Sequence, residues 1–112
     1  MNCCNQVIAT NAGGIPYIVS TNTTIGTENI NIALGARRIQ PIGYMSIMIS
    51  DVIPADATTT LPVNLTLNDV TKALTLPNGT QVTAAELLNV GNILVFNDRT
   101  RGLLTLMSRT VA

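Results

Sequence analysis

An all-β, mainly antiparallel domain is the fold class this sequence predicts: a small β-sandwich or barrel-like fold of about six or seven strands with one short helix. Two patterns carry the prediction. Apolar residues recur at every second position in several short runs, the period of a strand with one buried face. Gly, Pro, Asn and Asp interrupt those runs where the chain must reverse. A third observation bears on function as much as on fold. Charged residues make up only 11% of the chain, while 16 threonines and 12 asparagines supply most of its polarity, against about 25% charged residues in an average globular chain.

At 112 residues the chain suits one core. Residues 1–14 read as an N-terminal arm or first edge segment, and 15–112 as a single β-rich domain. The arm holds Cys3, Cys4 and a short apolar patch at Val7, Ile8 and Ala9. It ends on Gly13-Gly14, whose backbone freedom suits a hinge or tight turn. Residues 15–19 read as a strand that Pro16 confines to an edge or a start, since proline brings no ladder donor. Residues 21–27 read as a polar connection. Ile30, Ile32 and Leu34 then alternate with Asn31 and Ala33 until Gly35 ends the run.

In 43–50, Met45, Ile47 and Ile49 share one face. The opposite face, Tyr44, Ser46, Met48 and Ser50, is mixed and therefore compatible with a subunit contact. A loop with Pro54 follows over 51–60. Leu61, Val63, Leu65 and Leu67 alternate next, with Pro62 at the start or on an edge. Asn68-Asp69 turns the chain into 71–76, where Lys72, Leu74 and Leu76 share a face. Pro77-Asn78-Gly79-Thr80 is the sharpest turn signal, because proline sets one torsion and Asn or Gly tolerates positive φ. Thr83-Ala84-Ala85-Glu86 matches a capping box, which predicts a helix from Ala84 to about Val90 that Gly91 stops. Residues 93–97 and 103–107 form a hairpin around a turn at 98–102. A sandwich accommodates Pro16 and Pro62 at open edges more readily than a closed barrel does.

The inventory of chemical groups points away from catalysis. There is no histidine, so schemes built on a Ser-His-Asp or Cys-His pair have no place within one chain. No phosphate-binding loop, dinucleotide fingerprint or zincin motif is present. Asp51 and Asp56 flank Pro54 in one loop, but a hard cation such as calcium recruits six to eight oxygens. No catalytic residue, cofactor, metal or small-molecule substrate is expected. A formal net charge of zero gives no long-range attraction to nucleic acid or to an anionic membrane. No run of 18 or more apolar residues is available to span a bilayer.

What remains is assembly. Hydroxyls and amides can enter an interface when their hydrogen bonds are met, without the dehydration cost of an ion. The expectation is a non-enzymatic structural subunit that packs against copies of itself or other proteins of one assembly. A bacterial virus particle is the leading setting, with a capsid-decorating, joining or tail-associated role. The strands at 30–34 and 44–50 are the candidate contacts, through Ile30, Ile32, Leu34, Tyr44 and Met48. Arg99 and Arg101, in the last hairpin turn, are candidates to meet an acidic neighbour.

Cys3 and Cys4 suggest a second setting. Adjacent cysteines do not bond comfortably to each other and call for separate partners, so crosslinks between subunits come into view. This cysteine-bearing connector on a small β-rich chain resembles the bacterial endospore appendage subunits. The resemblance implies an extracellular or spore-surface filament in which Cys3 and Cys4 bond to neighbouring subunits. In that family the core also carries partner cysteines, whereas this chain has no cysteine beyond Cys4.

Overall fold

The strands are joined by turns whose backbone few residue types tolerate. In the computed structural model, which describes residues 15–35, 42–98 and 100–111, Asn68 and Asp69 both lie in the left-handed region (φ 52° and 64°). They join β5 (Val63–Leu67) to β6 (Val70–Thr75) as a two-residue hairpin, the loop in which both central residues take positive φ. At 77–80, Gly79 has a φ of 90°, and the Asn78 carboxamide oxygen accepts the Thr80 N–H at 2.9 Å. Both turns fall where residue chemistry predicts them.

The remaining elements are β1 (Tyr17–Val19), β2 (Asn22–Ile25), β3 (Ile30–Ala33), β4 (Ile42–Met48), α1 (Ala84–Leu87), β7 (Val90–Asp98) and β8 (Leu103–Val111). All eight strands belong to one curled sheet in the order β1-β4-β7-β8-β6-β5-β3-β2. The all-β class is therefore what the chain adopts, in a barrel-like form, with a single short helix among the described residues. The sheet is more mixed than expected, because β1–β4, β3–β5 and β6–β8 pair in parallel. The extra strand, β2, comes from the segment expected to be a polar connection.

The two terminal strands of the sheet are consecutive in the chain. Between them, the Ser20 N–H donates to the Met48 carbonyl at 2.9 Å and the Thr21 N–H to the Ala33 carbonyl at 2.8 Å. One segment thus serves both ends of the sheet and draws them together. Side chains fasten the seam. The Ser20 hydroxyl accepts the Ser50 N–H at 2.9 Å, and the Ser50 hydroxyl donates to the Ser20 carbonyl at 2.7 Å. Beyond it the Thr23 hydroxyl donates to the Asp51 carbonyl at 2.6 Å, while the Asp51 carboxylate accepts the Thr23 N–H at 3.3 Å. The carboxylate caps a strand edge that would otherwise offer a bare donor.

The core fills the concave side. Ile18, Ile47 and Ile93 lie in one row across β1, β4 and β7, and Ile32 stands beside Leu65 across β3 and β5. Ile53, Val82, Ala84 and Leu87, all fully buried, complete it from the loops and α1.

The helix differs from expectation at both ends. Thr83 occupies the N-cap position, yet its side chain makes no capping bond. Backbone carbonyls of the preceding loop fill that role: the Ala84 N–H donates to Leu61 at 2.8 Å and the Ala85 N–H to Thr59 at 3.1 Å. The Glu86 N–H, the donor a Thr83 hydroxyl would cap, donates to the Thr83 carbonyl at 3.1 Å instead. The helix stops before Gly91, because Asn89 turns the backbone (φ 55°) and donates its N–H to the Ile53 carbonyl at 2.7 Å. Four helical residues remain, held by packing.

Candidate functional site

Strand alternation divides the outer surface of the sheet into two unlike halves. On β3, β5 and β6 the outward residues are mostly polar, with Ala33 and Ala73 between them, and several bond to one another. The Thr66 hydroxyl donates to the Asn31 carboxamide at 2.7 Å and lies 2.8 Å from the Thr71 hydroxyl, and the Gln81 amide donates to the Asn64 carboxamide at 3.1 Å. Here the Thr/Asn enrichment acts as a surface ladder of satisfied groups.

On β1, β4, β7 and β8 the outward residues are largely apolar. Register places Ile42, Asp98 and Leu103 in one row, and Tyr44, Phe96 and Thr105 in the next. Ser46, Leu94 and Ser108 follow, and then Met48, Asn92 and Thr110. Tyr17 and Val19 extend these rows onto β1, opposite Ser46 and Met48. A bulge at the Leu94–Val95 step of the β7–β8 pairing leaves Met107 outside the regular ladder, and Met107 is exposed.

All three aromatic residues of the chain therefore lie on this face. Tyr44 and Phe96 meet edge to face with ring centroids 5.1 Å apart, a favoured aromatic geometry. The Tyr17 hydroxyl donates to the Met48 sulfur at 3.0 Å. Even so, Ile42, Tyr44, Met48 and Leu103 each keep between 41% and 49% of their surface in water. The far end of the face is more polar, with a trough of about 260 Å³ lined by Ser46, Asn92, Leu94, Ser108 and Thr110.

Charge enters at one border. Asp98 ends β7, and its carboxylate accepts the Thr100 hydroxyl at 2.6 Å and pairs with the Arg101 guanidinium at 3.2 Å. The Thr100 bond foremost holds the Asp98 carboxyl below its ordinary range, against an opposing effect of burial and with lesser help from Arg101. A carboxylate depressed in the folded state stabilises it at neutral pH, and that stabilisation is lost as pH falls through the depressed value. The Thr100 and Arg101 amides are accordingly expected to lose protection under acid relative to those of β8, and Asp98→Asn to abolish that acid response. An identical acid profile in Asp98→Asn would count against the carboxylate as its source.

The structure sorts the residues singled out from sequence. Tyr44 and Met48 stand on the exposed apolar face. Ile30, Ile32 and Leu34 do not, because each is fully buried in the protein's own core. Their expected place at a contact surface is corrected for a simple reason: a run with one apolar face looks the same whether that face meets its own sheet or a neighbour. Arg101 is exposed but engaged with Asp98. Arg99, Cys3 and Cys4 lie outside the described residues. Sequence reasoning missed Tyr17, Ile42, Phe96, Leu103 and Met107 as members of this face. The parity of Phe96 with Leu94 was available, but only the β4–β7 register aligns it with Tyr44.

Among the described residues no three His, Cys, Asp or Glu side chains gather as metal ligands, and no helix is long and apolar enough to cross a membrane. Asp51 is committed to the seam through Thr23. The strongest departure from an ordinary polar surface is the outer face of β1, β4, β7 and β8, and a search for likeness found no matching family model, curated protein or solved structure.

Proposed function

We propose that the chain is a non-enzymatic structural subunit that works by packing its β1-β4-β7-β8 outer face against copies of itself or other proteins of one assembly. The single observation that carries this reading is the gathering of every aromatic residue and most exposed large apolar residues on that face. Contiguous apolar surface of this kind marks contact sites, and aromatic and Met side chains are enriched in them. The low charge of the chain favours the same reading, since zero net charge removes a barrier to association. We assign the subunit to a bacterial virus particle, as a capsid-decorating, joining or tail-associated protein. Small size, low charge and the absence of familiar catalytic groups support that setting.

The test is a double substitution, Tyr44→Glu with Leu103→Glu, followed by sedimentation velocity. Both side chains are about half exposed, so the folded monomer tolerates charge there, whereas a buried interface does not. The wild-type protein is expected to sediment as an oligomer, and the variant as a monomer with unchanged circular dichroism. A wild-type chain that stays monomeric at high concentration, alone and with candidate partners, would overturn the proposal. Electron microscopy of the native assembly separates shell, tail and filament.

A filament or spore-appendage subunit is the second reading, favoured by Cys3-Cys4. It requires multimers that reducing agent dissolves and that Cys3→Ser/Cys4→Ser lacks. Assembly that is unaffected by either treatment counts against covalent joining.

A further inference from the structure

The inward side of β6 carries an unexpected residue. Val70, Lys72 and Leu74 share one face of that strand, Leu74 is fully buried, and Lys72 stands opposite Leu65, itself 1% exposed. The only lysine of the chain thus sits on the concave side of the curled sheet. A cation there needs a counter-charge or a route to water. Among the described residues no carboxylate pairs with it; the ion pair they form joins Arg101 and Asp98.

Beside Lys72 opens a cleft of about 250 Å³, walled by Leu34, Met45, Leu65, Leu67 and Leu104. Asn68 and the buried Asn97 add two polar side chains to the wall. Barrel mouths are common sites for small ligands, and such sites combine an apolar lining with a few polar groups that fix orientation. At about 30 Å³ per water-sized unit, the cleft holds about eight such units. That volume suits a chain of about six to eight carbons. One ammonium at the rim matches one carboxylate; a phosphate dianion calls for several donors or a bidentate arginine.

We propose that this cleft binds a medium-chain monocarboxylate, with its alkyl chain against Leu34, Met45, Leu65 and Leu104 and its carboxylate on the Lys72 ammonium. The site lies on the opposite side of the sheet from the apolar outer face and stands whether or not that face mediates assembly.

The probes are octanoate, octanol and octylammonium, titrated into the full chain and followed by amide chemical shifts and calorimetry. Octanoate is expected to bind saturably, with the largest shifts at Leu34, Leu65, Lys72 and Leu104. Octanol is expected to bind about tenfold more weakly, as fits loss of one charge-assisted bond, and octylammonium to bind least. Lys72→Met keeps the apolar stem and removes the charge, so its affinity for octanoate is expected to fall about tenfold while that for octanol is retained. Lys72→Arg, a second variant that preserves the charge, is expected to retain octanoate binding. The proposal is overturned if octanoate shows no saturable shifts below its micelle threshold, if octanol binds as tightly as octanoate, or if a folded Lys72→Met variant binds octanoate unchanged.

Discussion

Ile47→Ala is expected to destabilise the domain by about 2–5 kcal/mol, a large part of the 5–15 kcal/mol that typically holds a domain folded. Ile47 is fully buried near the end of β4, with Ile18 on one side and Ile93 on the other. Removing its outer carbons leaves a gap that neither neighbour can fill, because both are tied to β4 by ladder hydrogen bonds. The loss therefore includes the cavity as well as the transfer free energy. Chemical denaturation provides the check: the midpoint should fall with little change in slope. A loss below about 1 kcal/mol would mean that the row collapses around the smaller side chain. Tyr44→Ala, on the other face of the same strand, provides the contrast, because its ring is already nearly half in water.

The second large effect is expected at the seam. Ser20 is a buried polar residue, 3% exposed, whose hydroxyl accepts the Ser50 N–H. Ser20→Ala removes the acceptor and leaves that donor to find water at a joint the fold keeps closed. An orphaned partly buried donor costs about 1–3 kcal/mol. Because the joint unites the two ends of the sheet, local opening should spread along β1 and β2 before it reaches the rest. Hydrogen exchange should show it as faster exchange at Ser50, Thr21 and Thr23, with β7 and β8 unaffected. If the Ser50 amide exchanges as slowly in the variant as in the wild type, the hydroxyl is not what holds the joint.

Much of this architecture is written in local patterns, and what is not depends on distant pairing. The inward sets Ile30, Ile32 and Met45, Ile47, Ile49 follow from period-two alternation, and all five residues are buried. Turns at 68–69 and 77–80 follow from Asn, Asp and Gly alone. The parallel pairings β1–β4, β3–β5 and β6–β8 have no local signature, since each joins segments separated by a long stretch of chain. That gap explains the preference for a sandwich: Pro16 and Pro62 suggest open edges, yet Pro62 immediately precedes an interior strand, and its carbonyl accepts the Ile30 N–H of the neighbouring strand at 2.9 Å. β2 was hidden for another reason. Asn22–Ile25 is polar and mostly exposed, so it carries little apolar alternation and is held by pairing with β3. The candidate face was half legible. Tyr44 and Met48 show in the mixed side of β4, but Phe96 and Leu103 join them only through a register that composition does not encode. Lys72 on the inward face was visible from its parity with Leu74; that a cleft opens beside it was not.

The place of the last hairpin carries a consequence for biosynthesis. β7 and β8 are the final strands of the described chain to leave the ribosome, yet they sit in the middle of the sheet, with β7 against β4 and β8 against β6. Until residues 90–111 emerge, β4 and β6 each present an unpaired edge, and the row containing Ile47 lacks its cover from Ile93. Exposed edges beside apolar residues are templates for wrong pairing between chains. A nascent chain halted shortly before Val90 is thus at an aggregation-prone stage of its own synthesis. Arrival of the hairpin acts as a keystone, converting two sticky half-sheets into one closed surface in a single late step.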